Sequence, residues 1–131
     1  MTIVEIGPGV PTLDGGSAAI SRVVASGVTA VVAFNDLMAI GLMRGAQERG
    51  IAVPSELSVV GFDDIFGSDF TAPTLTTVRA PLTEAGERAV RYLLSRVSPH
   101  AESGRVDVEA LLPTELVVRG STGRHVPDGE R

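Results

Sequence analysis

Two polar side chains stand where apolar runs end. Asn35 follows Ala30-Val31-Val32-Ala33-Phe34, and Asp63 follows Leu57-Ser58-Val59-Val60-Gly61-Phe62. Such runs suit strands buried on both faces of a parallel sheet. Open α/β sheets hold their ligands just beyond the carboxyl ends of such strands. An amide donates and accepts hydrogen bonds, whereas a carboxylate only accepts. Both positions could therefore offer hydrogen bonds to a ligand at that edge. A plainer reading exists for each. Asn35-Asp36 also fits a strand-to-helix turn with its cap, and Asp63-Asp64 also fits a turn. The expectation is ligand contact from Asn35 and Asp63, helix capping from Asp36, and Asp64 as an additional ligand candidate.

Other chemistries find no constellation. The chain has no cysteine, which removes disulfides, thiolate catalysis and Cys-based metal sites. His100 and His125 lack a companion at ligand spacing, so no metal site is expected. Ser17, Ser21 and Ser26 have neither a nucleophile-elbow context nor a paired His. The chain is not expected to be an enzyme or to carry a cofactor.

The bulk numbers narrow the partners. A net charge of -5 repels phosphate backbones, so this chain alone is a poor nucleic-acid binder. No apolar run approaches the ~20 residues of a membrane span, and Met1-Thr2-Ile3-Val4-Glu5 lacks the basic start and apolar core of an export signal. A cytoplasmic chain without membrane contact is expected. Its 131 residues allow one core, packed from aliphatic side chains because aromatics are only 4%.

The elements that must position Asn35 and Asp63 alternate between β-branched runs and helical patterns, the mark of a parallel sheet with crossover helices. Ile3–Ile6 is a first strand, broken by Gly7-Pro8-Gly9-Val10-Pro11. Asp14–Ser26 is a helix, with Asp14 suited to cap it or to add a polar group to the site. Thr29–Phe34 and Leu57–Phe62 are interior strands. A helix from Asn35-Asp36 to Arg49 lies between them. From Leu37 to Met43 this helix has no polar residue, so its first two turns need cover on more than one side. Leu75–Val78 is a further strand. Pro81–Val97 is a helix with a clean apolar stripe and Glu84–Arg88 and Glu87–Arg91 pairs on its wet side. Val106–Leu112 and Glu115–Val118 read as extended, and residues 121–131 as a disordered tail.

Four ordered pieces carry a family resemblance: Thr29–Gly41 (TAVVAFNDLMAIG), Gly50–Asp64 (GIAVPSELSVVGFDD), Pro73–Arg79 (PTLTTVR) and Leu112–Thr122 (LPTELVVRGST). Their order and spacing resemble LacI/GalR transcription regulators over roughly Pro11 to Thr122. The resemblance implies a type I periplasmic-binding-protein-like α/β fold, a parallel sheet flanked by helices. Residues 1–120 would be the C-terminal part of an effector-binding and dimerising domain, mainly its C-terminal subdomain. Helix 81–97 would belong with a missing N-terminal subdomain, and the DNA-binding headpiece would be absent.

The resemblance also implies roles. Asn35 and Asp63 match positions that hydrogen-bond an effector, often a sugar. Leu37, Met38, Gly41 and Leu42, with Phe66 and Phe70 from the following loop, match a face that meets a second subunit; burial within the core is the other reading of that helix. The implied partners are a sugar-like effector, a second copy of the chain, and operator DNA reached only through the headpiece. The Gly7–Asp14 loop departs from the pattern, since Gly9-Val10-Pro11 offers no aromatic or charged side chain to a ligand. The alternative function on the same fold is a solute-binding protein of a sugar uptake system.

Overall fold

The computed structural model describes residues 2–7, 9–97 and 111–124. They fall into two compact units, one of Met1–Arg79 with Leu116–Arg131 and one of Ala80–Glu115. In chain order the elements are α1 (Leu13–Ala25), β1 (Ala30–Val32), α2 (Asp36–Glu48), β2 (Ser58–Phe62), β3 (Thr76–Arg79), α3 (Leu82–Val97) and β4 (Glu115–Val117).

A four-stranded sheet runs in the order β1-β2-β3-β4. The pairs β1–β2 and β2–β3 are parallel, with Val32 opposite Val60 and Phe62 opposite Val78. One face packs on α1 and α2 through Val59 and Leu75, which meet Ile20, Val23, Ala39, Leu42 and Ala46 in one aliphatic core. Glycines let the two helices approach backbone to backbone. A Cβ on Gly16 would overlap the Met38 carbonyl, and one on Gly41 would overlap the Leu13 carbonyl. The larger backbone entropy that glycine loses on folding is offset there by close dispersion contact.

Several expectations need correction. Ile3–Ile6 forms no strand, and Ile3 and Val4 stay exposed, since no neighbouring strand pairs with them among the described residues. The run through Ala30–Val32 is a strand but is not buried on both faces: Val32 is 75% exposed and Phe34 77%. The reason is cover: the aliphatic core lies on the α1/α2 side, and the opposite face stays open, so Phe62 of the interior strand β2 is exposed as well. The disordered tail begins too early if drawn at residue 121. Ser121 is fully buried, donates from Oγ to the Val59 carbonyl at 2.6 Å and accepts there from the Thr76 amide at 2.8 Å. Residues 125–131 and the 106–110 part of the Val106–Leu112 segment lie outside the described residues, as do His100 and His125. Leu111 and Leu112 are described and are not in a strand.

The second unit contains α3. Its Glu84–Arg88 ion pair spans one turn at 2.7 Å. No residue of this helix is buried, and Leu82, Val90, Leu93, Leu94 and Val97 are all exposed. No helix among the described residues is long and apolar enough to cross a membrane.

Candidate functional site

The sheet register sets the site. Ala33 donates its amide to the Val60 carbonyl at 2.8 Å, and Asp63 donates its amide to the Val78 carbonyl at 2.9 Å. With Val32 opposite Val60, Asn35 and Asp63 both follow the paired residues by the same interval on adjoining parallel strands. They therefore leave the sheet together at its carboxyl edge, where α2 also presents its amino end.

Asn35 is the N-cap of α2. Its Oδ1 accepts from the Met38 amide at 2.9 Å, and its Nδ2 donates to the Pro11 carbonyl at 3.3 Å. The amide thus joins the Gly7–Asp14 loop to the helix while keeping a second N–H available. Asp36, expected as the cap, is not the cap. It is fully buried one residue inside the helix, and its carboxylate accepts from Thr77 Oγ1, from Ser68 Oγ at 2.9 Å and from the Ile65 amide at 2.9 Å. Asp14 is also displaced from its expected role. Thr12 caps α1 by accepting from Gly15, and Asp14 lies exposed in the first turn, where its charge suits the helix dipole.

Asp63 and Asp64 part company despite adjacency. Asp63 has φ of 106°, a region that costs a non-glycine residue strain. No hydrogen bond to its carboxylate occurs among the described residues. Partial burial first, and then repulsion from Asp36, holds its carboxyl above the ordinary Asp range. Asp64 is fully engaged. Arg79 Nε meets one oxygen at 2.7 Å and Arg119 Nη2 the other at 2.7 Å. Burial alone would raise its carboxyl, but hydrogen bonds and charge from Arg119 and Arg79 outweigh that and lower it. Arg119 also donates to the Leu75 carbonyl at 2.8 Å, so Asp64 serves to fasten β4 and the chain beyond it to the β2–β3 edge. That accounts for Asp64 without a ligand.

The residues expected to face a second subunit divide as well. Gly41 and Leu42 are buried in the α1–α2 contact and the core, so they present nothing outward. Met38 is half-buried against that core. Leu37 is 38% exposed, while Phe66 and Phe70 are 91% and 70% exposed and stack edge to face with centroids 5.1 Å apart.

Sequence reasoning gave no role to Ser68, Thr77, Arg79 or Arg119. A signal existed for three of them, since Thr77, Arg79 and Arg119 lie inside motif pieces already singled out for their pattern. A cavity of about 260 Å³ lies at the opposite, amino end of the strands, lined by Thr29, Ala30, Ser58, Glu56, Thr122 and Arg124 among others. It holds neither Asn35 nor Asp63. Among the described residues no group of three or more His, Asp or Glu could hold a metal ion.

Residues 5–122 match the periplasmic binding protein-like domain. The HTH-type transcriptional regulator MalR of Streptomyces coelicolor is 47% identical over 115 residues, covering 85% of this chain and 31% of the regulator. A crystal structure of a LacI family transcriptional regulator from Enterococcus faecium with bound ribose superposes with a TM-score of 0.75 at 30% identity, covering 88% of this chain and 42% of that one. A sugar-binding transcriptional regulator of the LacI family from Escherichia coli, complexed with phosphate, gives 0.76 at 32% identity, with 92% and 44% covered. The chain spans about a third of the length of the curated relatives it matches.

Proposed function

This chain belongs to the periplasmic binding protein-like domain family, in the form found in LacI-type transcription regulators, and from that premise we propose that it is the effector-sensing part of such a regulator. The effector is a neutral, hydroxyl-rich metabolite of the sugar class. Its hydroxyls donate to the Asp63 carboxylate and exchange hydrogen bonds with the Asn35 amide at the carboxyl edge of β1 and β2. One observation carries this reading: Asp63 is held in a strained backbone conformation with no hydrogen-bond partner for its carboxylate among the described residues, at the same sheet edge as the Asn35 cap. Strain without an internal partner is the mark of a group reserved for something outside the chain. The ribose bound by the Enterococcus relative points to the same ligand class.

The role is binding rather than catalysis, and control of DNA is exerted through a headpiece elsewhere in the regulator. Closure around the effector alters how two copies hold their headpieces. The second copy is met by Leu37, Phe66 and Phe70, whose exposure supports that use. Relatives that are regulators favour this over a solute-binding protein of an uptake system, and a regulator of this kind works in the cytoplasm. A thermal-shift panel of ribose, maltose and lactose tests the reading. At least one sugar should raise Tm in the parent chain and not in Asp63→Ala, since a ligand stabilises only the state it binds. A rise of equal size in both would refute the assignment of the site.

A further inference from the structure

Asp36 is a fully buried acidic side chain surrounded by neutral donors. Its three hydrogen bonds come from two places, Thr77 on β3 and Ser68 and Ile65 in the turn after β2, which lie 29 to 41 residues from Asp36. No ion pair to Asp36 forms among the described residues. A carboxylate held in low dielectric by dipoles alone depends on every one of them, because each lost donor leaves charge uncompensated. The groups around it therefore move together or not at all.

Those groups join the two surfaces that matter. On one side, Thr77 Oγ1 accepts from the Asp64 amide at 3.4 Å, and Asp63 lies close enough to repel Asp36 electrostatically. On the other side, the donors Ile65 and Ser68 bracket Phe66, and Phe70 closes the same turn by donating its amide to the Gly67 carbonyl at 2.9 Å. Gly61 makes the junction possible, since a Cβ there would overlap Asp36 Oδ1. Asp36 itself is the first residue of α2, directly after the Asn35 cap.

We infer that Asp36 is a positioning residue that relays the state of Asp63 to the Phe66–Phe70 turn. This rests on the reading that Asp63 takes the effector, and it adds how contact there reaches the exposed aromatic pair. Asp36 touches neither the effector nor a second copy. Its carboxylate ties the Asp63-Asp64 turn, through Thr77, to the Ser68 turn, so a displacement of one is transmitted to the other.

The test is a double-mutant cycle on the full chain, read by fluorine NMR with 4-fluorophenylalanine at all four phenylalanines, assigned by single Phe→Leu changes. Asp63→Asn removes the charge that repels Asp36 and so perturbs the Asp63 end of the network without a ligand. It should shift the Phe66 and Phe70 signals in the parent, and the shift should fall roughly twofold or more in Asp36→Asn and in Ser68→Ala. Ser68→Ala keeps Asp36 and its other two donors, so it carries the test if Asp36→Asn does not fold. A purely structural Asp36 would change stability and leave the response to Asp63→Asn intact. Equal shifts in every background, or no shift in the parent, would overturn the relay. The readout uses no ligand, so it is separate from the sugar panel: a chain that binds no sugar can still show the coupling, and one that binds sugar can lack it.

Discussion

Gly61 and Asp36 share one small volume: the carboxylate of Asp36 projects into the space that a side chain at position 61 would fill. The strand keeps its glycine for that reason, although glycine in a strand interior is ordinarily destabilising. Gly61→Ala forces either the strand or the buried carboxylate to move and strips Asp36 of a donor. Stability should fall by about 2–3 kcal/mol, measured by urea unfolding. A loss below about 0.5 kcal/mol, the range of neutral surface changes, would show that the carboxylate has room elsewhere.

Arg119 and Asp64 make a second test, with a defined pH signature. Asp64 is lowered in the folded state, so its stabilisation is present above its ordinary value of 3.8 and is lost as pH falls through the lower folded value. Arg119→Met should cost about 1–3 kcal/mol at neutral pH and move acid unfolding to higher pH. Arg79 remains as the other partner, which keeps the loss below that of a bare buried charge. An acid limb unchanged in the variant would mean that Asp64 is not held by Arg119 in solution.

Asp63 has the opposite sign. Its carboxyl is raised, so its favourable contribution belongs to acid conditions and is lost as pH rises through the raised value. Asp63→Asn removes that liability and suits a positive φ at least as well. Asp63→Gly relieves the strain outright, against the greater chain entropy of glycine. Both variants should equal or exceed the parent in stability at pH 7 while losing sugar binding at least about tenfold, the scale of one lost charge-assisted hydrogen bond. If both were destabilised by about 1 kcal/mol or more, Asp63 would be serving the fold, and its strain would need another explanation.

Phe66 and Phe70 are aromatic, exposed and paired on one turn. Replacing both by Ser removes apolar area that the chain itself does not bury. Tm should shift little, while the association constant from equilibrium sedimentation should drop by about tenfold or more, as expected when aromatic anchors leave an interface. Unchanged self-association would move the contact surface elsewhere.

The fold was legible to the degree that hydrophobic period reports burial. Runs such as Leu57–Phe62 and the three- and four-residue spacing of Leu82–Val97 mark their elements, and glycines at 27 and 50 mark helix ends with φ of 68° and 70°. An apolar run cannot say whether a second layer covers the sheet, so Val32, Phe34 and Phe62 look interior in the sequence and are exposed in the structure. The placement of Asn35 and Asp63 just beyond adjoining strands was legible because strand ends are visible as the end of an apolar run. The cap fell to Asn35 instead of Asp36 because either side chain can cap, and only tertiary contacts from Ser68 and Thr77, 32 and 41 residues away, decide which one turns inward. Asp64 was ambiguous for the same reason, its partner Arg119 being 55 residues distant.

The central claim is that two side chains at one sheet edge receive the effector. The direct measurement is a residue-resolved NMR titration of the chain with ribose, maltose and lactose at concentrations up to about 10 mM, which covers millimolar affinity. The amides of Asn35, Asp63 and their immediate neighbours should shift saturably with at least one sugar. Shifts gathered instead around Thr29, Ser58 and Arg124 at the amino end of the strands, or no saturable shift with any of the three, would contradict it.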